Sequence, residues 1–187
     1  MLKRAFDVVA AGCGLLVLIV PLAMLWGLVR LTSPGPALYW SRRVGRAGRL
    51  FSMPKFRTMR VDTPEVATHL LTDPNRWLTP IGPILRRLSL DELPQLWSVL
   101  VGEMSLVGPR PALFNQDDLI AARSAVGVDR LRPGVTGWAQ INGRDELSIA
   151  DKVALDAEYR ARRTFIFDLL ILLRTVAPVV SGRGVTR

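Results

Sequence analysis

The feature that most narrows what this chain can fold into is the run from Val8 to Val29, 22 residues without a charged side chain. At about 1.5 Å per residue, a helix of that length can cross the hydrocarbon core of a bilayer. Two details conflict with a simple crossing. Pro21 lies inside the run, where it removes a backbone donor and clashes with the preceding turn, so a helix there bends or breaks. Basic residues also flank both ends. Lys3 and Arg4 precede the run; Arg30, Arg42, Arg43, Arg46, Arg49, Lys55, Arg57 and Arg60 follow it, with no acidic residue from Arg30 to Val61. Lysine and arginine mark the cytoplasmic side of membrane segments, and here both flanks carry the mark. A re-entrant helical hairpin over residues 1–31, broken at Pro21 and returning to the face it entered, satisfies both observations. A single transmembrane helix is the alternative. A cleaved leader is disfavoured, because the run is too long and shows no convincing small-residue cleavage site.

Residues 32–187 read as one helix-rich α/β domain lying against the membrane face. Ser33-Pro-Gly-Pro36 ends the apolar segment with turn residues. Short strands are expected at Ala37–Trp40 and Leu50–Met59, around a Gly45–Gly48 turn. Asp62–Asn75 is polar and reads as loop or irregular helix. Helical stretches are expected over Ile84–Val101, Leu113–Val126 and Leu147–Arg163, with an extended run from Arg132-Pro-Gly134 to Asn142. Phe165–Val180 is apolar but interrupted by Asp168, Arg174 and Pro178, which suits a core or interfacial amphipathic helix.

Charge narrows the partners. Lys and Arg number 25 against 16 Asp and Glu, a formal +9, while 49% of residues are hydrophobic. Greasy and basic together favour an anionic partner at a membrane over nucleic acid, for which no recognition helix or stacking motif is present. One cysteine, Cys13, and one histidine, His69, exclude a disulfide framework and leave little for a thiolate or histidine metal centre or a Ser/His/Asp triad.

The chemistry-bearing segment is Ser89-Leu-Asp-Glu92, which has the spacing of a capping box with Ser89 as N-cap and Glu92 three residues on. In that frame Asp91 sits in the first helical turn, at the positive end of the dipole, which would keep it ionised near a natural phosphate site. Adjacent helical residues point about 100° apart, so Asp91 and Glu92 are expected to do different jobs, such as nucleophile and metal ligand. Arg86, Arg87, Arg110, Arg132 and Arg144 lie around them in sequence, Arg110 and Arg144 within the rigid loops Gly108-Pro-Arg-Pro111 and Asn142-Gly-Arg144. The arginine fork grips phosphate oxygens in two places at once. A basic site around a carboxylate pair beside a membrane suggests Mg²⁺-assisted chemistry on a diphosphate with a lipid partner.

Five segments carry a resemblance: Lys3-Arg-Ala-Phe-Asp7, Lys55-Phe-Arg-Thr-Met59, Leu88-Ser-Leu-Asp-Glu-Leu-Pro-Gln-Leu-Trp97, Gly102-Glu-Met-Ser-Leu-Val-Gly-Pro-Arg-Pro111 and Arg132-Pro-Gly-Val-Thr-Gly-Trp-Ala-Gln-Ile-Asn-Gly-Arg144. Together they resemble the bacterial sugar transferases, the monotopic polyprenyl-phosphate phosphoglycosyl transferases, in their minimal catalytic form. The resemblance implies an enzyme of the bacterial inner membrane with its site on the cytoplasmic face. It would move a sugar phosphate from a UDP-sugar to polyprenyl (undecaprenyl) phosphate and begin glycoconjugate assembly. It implies Asp91 as the nucleophile that forms a sugar-phosphoryl aspartate and releases UMP, and Glu92 as a holder of Mg²⁺. It implies Arg86 and Arg110 on phosphates, with Lys55 and Arg144 in the same pocket. A homodimer is among the assemblies open to it. The family's helix break follows a Ser-Pro pair, where this chain has Val20-Pro21. Alternative readings are a membrane-bound glycosyltransferase that releases UDP, and a non-enzymatic basic membrane anchor.

Overall fold

The computed structural model describes residues 2–64, 66, 73–143 and 146–181. It is a helix-rich α/β structure that opens on two helices, α1 (Leu2–Val17) and α2 (Ile19–Thr32), bent by 63° relative to each other. Among the described residues no single helix is long and apolar enough to cross a membrane, whereas the bent pair qualifies together by length and composition.

The break falls at Leu18, not at the expected Pro21. The physical reason is Pro21 itself, which stands third in α2. Its ring would clash with the carbonyl four residues back, at Val17, so the first helix must end before the proline joins the first turn of the next. The backbone bonds on either side survive: Leu18 N–H donates to Gly14 O at 2.9 Å and Leu22 N–H to Leu18 O at 2.8 Å.

Next comes an antiparallel hairpin of β1 (Leu38–Val44) and β2 (Leu50–Phe56), with Leu38 opposite Phe56 and Val44 opposite Leu50. It is longer on its first strand and shorter on its second than the sequence suggests. The expected continuous helix over Ile84–Val101 is three pieces: α3 (Gly82–Arg87), a 3₁₀ turn at Leu90–Gln95 and α4 (Leu96–Val101). Ser89 takes a left-handed conformation, φ 54°, that no helix interior accepts, and Pro94 removes a donor one turn later. Gly102, at φ 93°, ends α4.

Strand β3 (Ser105–Val107) runs parallel to β4 (Gly134–Thr136). Two glycines let their backbones meet: a Cβ on Gly108 would lie 2.4 Å from Arg132 O, and one on Gly134 2.1 Å from Gly108 N. The expected extended run to Asn142 stops at Thr136, and Trp138–Ile141 turns into the short helix α6. Helix α5 (Asp117–Ala125), α7 (Ile149–Arg162) and α8 (Phe165–Ser181) complete the fold. The polar Asp62–Asn75 segment lies in large part outside the described residues.

Three apolar clusters weld these pieces. Val29, Ala37, Phe56 and Leu85 join α2, the hairpin and α3. Ala11, Met53, Val99 and Met104 join α1, β2 and α4. Val107, Leu131, Tyr159, Phe167 and Ile171 join β3, α7 and α8. The first two clusters meet across β2, and the 3₁₀ turn that carries Asp91 lies between α3 and α4.

Candidate active site

A cavity of about 390 Å³ opens between the hairpin, the 3₁₀ turn and the loop after β3. Its wall includes Asp91 and Glu92 together with Arg42, Arg43, Lys55, Arg57, Arg60, Arg86, Arg110, Arg123 and Lys152. Two carboxylates among so many cations make a site for anions.

Asp91 is only 7% exposed. Burial pushes its carboxyl up, and the neighbouring Glu92 charge adds to the rise, to about 6; Lys55, Arg86 and Arg110 oppose it. The expected effect of a helix N-terminus, to keep this group ionised, is therefore outweighed. The physical reason is geometric: the residue sits in a single short 3₁₀ turn, and desolvation dominates there. The capping box does not form either. Ser89 stands at the N-cap in the left-handed region with no side-chain capping bond, and the Glu92 carboxylate instead accepts a bond from Arg110 Nη2 at 2.6 Å.

Lys55 reaches in from β2, its Nζ 5.5 Å from the centre of the Tyr39 ring. Burial, then the adjacent Arg43 charge, lowers its ammonium to about 8, against the pull of Asp91 and Glu92. Arg86 comes from α3 and is steadied by a 3.0 Å bond from its Nε to Thr58 Oγ1. Arg110 follows β3 on a loop whose carbonyls are tied down in series. Val107 O accepts from Lys3 Nζ (3.1 Å) and Tyr159 OH (3.2 Å), and Pro109 O from Gly134 N–H (2.9 Å). Arg110 O accepts from Arg123 Nη1 (2.7 Å), Pro111 O from Arg43 Nη1 (3.1 Å) and Ala112 O from Val44 N–H (3.0 Å).

The structure thus brings Asp91, Glu92, Lys55, Arg86 and Arg110 together at one cavity. Arg87 is exposed and, with Arg132, absent from the described wall; Arg87 points away because it follows Arg86 on α3, about 100° around the helix. Arg144 and His69 lie outside the described residues. Sequence reasoning missed Arg123, Arg43 and Lys152. Arg123 did carry a signal: it stands four residues after Leu119 on α5, so the two share the buried face.

Among the described residues no group of three or more His, Cys, Asp and Glu side chains is arranged to hold a metal ion. The residues nonetheless fit Mg²⁺ of the kind that takes one or two carboxylates and completes its shell with substrate phosphates and water. Asp91 and Glu92 both face a cavity rich in phosphate-binding cations.

An amphiphilic α/β protein with a basic cavity around a carboxylate pair, carried beside a bent apolar helix pair, is the class these features define. The chain belongs to the bacterial sugar transferase family, whose sequence signature matches residues 1–182. It is 39% identical over 200 residues to the exopolysaccharide production protein ExoY of Rhizobium meliloti, covering 98% of this chain and 88% of that protein. It is 43% identical over 190 residues to the UDP-glucose:undecaprenyl-phosphate glucose-1-phosphate transferase of Caulobacter vibrioides, covering 96% and 70%. The undecaprenyl-phosphate galactose phosphotransferase of Salmonella typhimurium is 39% identical over 204 residues, covering 98% of this chain but 41% of that longer protein.

Proposed function

We propose that this chain is a phosphoglycosyl transferase that moves a sugar 1-phosphate from a UDP-sugar to polyprenyl phosphate through a covalent intermediate on Asp91. The observation that carries the reading is the buried Asp91 carboxylate facing a cavity lined by Lys55, Arg86 and Arg110. Family membership supports it, as do relatives named as undecaprenyl-phosphate glucose and galactose phosphotransferases.

The steps balance without a redox partner. An ionised Asp91 oxygen attacks the phosphorus next to the sugar; the bond from that phosphorus to the bridging oxygen breaks, and UMP leaves with the electron pair. A phosphate oxygen of the lipid then attacks the same phosphorus, the acyl-phosphate bond breaks, and the carboxylate is restored as lipid diphosphosugar departs. Arg86 and Arg110 neutralise the phosphate oxygens, so that a carboxylate can approach an anion. Lys55, close to its titration point, supplies a nearby positive charge. Mg²⁺ held by Glu92 would supply further neutralisation of the diphosphate.

The membrane side of the reading rests on exposed apolar side chains. Leu16, Val17, Ile19 and Leu31 of the bent pair stand out from the surface, and so do Ile84, Trp97, Val101, Ile166, Leu173 and Val176 of α3, α4 and α8. A bilayer face would cover them, with α1–α2 dipping in and returning and residues 32–187 on the cytoplasmic side of the inner membrane.

The deciding experiment omits the acceptor, because a covalent first step needs none. Enzyme, Mg²⁺ and a panel of UDP-sugars should release UMP, up to one equivalent per site, and gain one sugar phosphate in mass at Asp91. Undecaprenyl phosphate should discharge the adduct. Release of UDP, or no adduct with a donor that turns over, would overturn the proposal.

A further inference from the structure

Arg110 Nη2 meets Glu92 Oε1 at 2.6 Å, and what fixes its backbone is an ion pair between two other elements, α5 and α7. Arg123 of α5 and Asp156 of α7 are 8% and 1% exposed. Arg123 Nε and Nη2 both donate to Asp156 Oδ2, at 2.9 and 2.6 Å, and its Nη1 donates to the Arg110 carbonyl at 2.7 Å. A buried ion pair seldom stabilises a fold better than an apolar pair of the same size, since both charges lose their water. What an apolar pair cannot do is aim a charged donor at one loop carbonyl. Asp156 holds the guanidinium by one edge and turns the other edge toward the loop.

We propose that Arg123 and Asp156 are positioning residues: they fix the Arg110 backbone so that its side chain reaches Glu92 and the phosphates of the substrate. The substrate half of this rests on the reaction proposed above; the Glu92 half does not. A chain of contacts runs from α7 through α5 and the Gly108–Pro111 loop to the carboxylate pair, and each link is a charge-assisted bond that tolerates little displacement.

The test reads the Arg110 guanidinium itself, by ¹H–¹⁵N NMR of the arginine side chains in substrate-free protein, its signals assigned by their loss in Arg110→Ala. A guanidinium held on Glu92 by a charge-assisted bond rotates slowly and shows a displaced Nη resonance, and a released one does neither. The variants are the Arg123→Met/Asp156→Leu pair, Arg110→Ala, and all three changes together.

With Arg110 mispositioned, its held Nη signals should give way to those of a free guanidinium in the pair variant, while thermal unfolding stays cooperative. Unchanged Arg110 signals in a folded pair variant would overturn the proposal. Should the pair variant fail to fold, Arg123→Lys, which keeps a charge beside Asp156 but loses the fork, must show the same release. In the activity arm, UMP release should fall about tenfold or more, as for other supporting-residue losses, and the triple variant should be no slower than Arg110→Ala; full additivity would overturn the proposal. A purely raised KM with the Arg110 signals unchanged would make Arg123 a direct substrate contact and also overturn the positioning role. A wild-type enzyme that transfers no sugar phosphate would defeat the proposed reaction while leaving the NMR outcome intact.

Discussion

The apolar outer face of the bent helix pair and of α8, and the wall of the cavity, invert the usual distribution of side chains in opposite ways. On the outside, apolar residues stand in the open, Leu31 at 88% and Ile166 at 78% exposure. Inside, Asp91 and Arg123 are buried with their charges, and so is Asp156 behind Arg123. Ordinary folding favours neither, so each region is the half of an interface. They differ in what they demand. Apolar burial is non-directional and scales with area, so the outer face should accept any apolar residue of similar bulk. Charge-assisted bonds at 2.6–2.7 Å, such as Arg110 to Glu92 and Arg123 to the Arg110 carbonyl, fail on small displacements. The apolar half is built for tolerance and the charged half for geometry.

The largest expected effect comes from Asp91→Asn, which keeps shape and removes the nucleophile. Turnover should fall by several orders of magnitude; retention of more than about a tenth, worth only about 1.4 kcal/mol of barrier, would remove Asp91 from the role. Stability should move the other way. The folded carboxyl titrates near 6, above its ordinary 3.8, so the native state binds the proton more tightly than the unfolded chain. The stability linked to that proton is full below pH 4 and lost as pH rises through 6. At pH 8 the asparagine variant, with no charge to bury, should be the more stable by on the order of 1–3 kcal/mol, and the gap should shrink on acidification. Wild-type activity should show the complementary limb, falling below pH 6 as the nucleophile is protonated.

Arg110 tests the directional half more sharply. Arg110→Ala should slow UMP release by about a hundredfold, in line with the loss of one preorganised donor to developing charge. Arg110→Lys should recover little, since a point charge cannot grip Glu92 and a phosphate as a fork does. On the tolerant half, Leu173→Ile, at 73% exposure, should leave rate and membrane partition unchanged. A lysine at position 110 with near-normal kinetics would erase the contrast.

Topology comes next, as an effect on placement more than on rate. Leu2→Cys and Arg46→Cys, each in a Cys13→Ser background, should both resist a membrane-impermeant thiol reagent applied from outside. Pro21→Ala lifts the clash that ends α1 before Leu18, so the two helices can fuse into one straight span. In that variant the site near Leu2 should become accessible in part of the population. Labelling at Leu2 in the unmodified sequence would replace the hairpin with a simple crossing.

Much of this was legible in the sequence, for reasons that particular residues make plain. The helix break followed from Pro21, but its position did not, because a proline displaces the break toward the residues before it and settles into the next first turn. The hairpin was visible through Gly45 and Gly48. The continuous helix expected over Ile84–Val101 is instead broken, since apolar spacing says nothing about the left-handed Ser89. Asp91, Glu92, Lys55, Arg86 and Arg110 were marked by residue type and motif. Arg123, Arg43 and Asp156 were not, because their roles lie in bonds to backbone and to each other across 33 and 68 positions of chain, which no local pattern encodes.

The smallest effect separates two ion pairs that look alike on paper. Lys3–Asp168 and Arg60–Asp62 are 2.6 and 2.8 Å long. The Asp168 side chain, however, is 4% exposed and also accepts from Tyr159 OH at 2.6 Å, while both partners of the second pair are more than half exposed. Removing Lys3 as Lys3→Met leaves a buried carboxylate facing a phenol without its paired ammonium, and takes from the Val107 carbonyl, at the root of the Arg110 loop, one of the two side-chain donors it accepts from. Unfolding should shift by about 2–3 kcal/mol, or roughly 5–10 °C in the midpoint for a chain of this size. Arg60→Ala should leave the midpoint unchanged, because water and salt replace an exposed partner at almost no cost. Differential scanning calorimetry at low and high salt reads both. If Arg60→Ala destabilised as much as Lys3→Met, burial would not be what decides which charges matter here, and the division between a tolerant outside and an exacting inside would lose its physical basis.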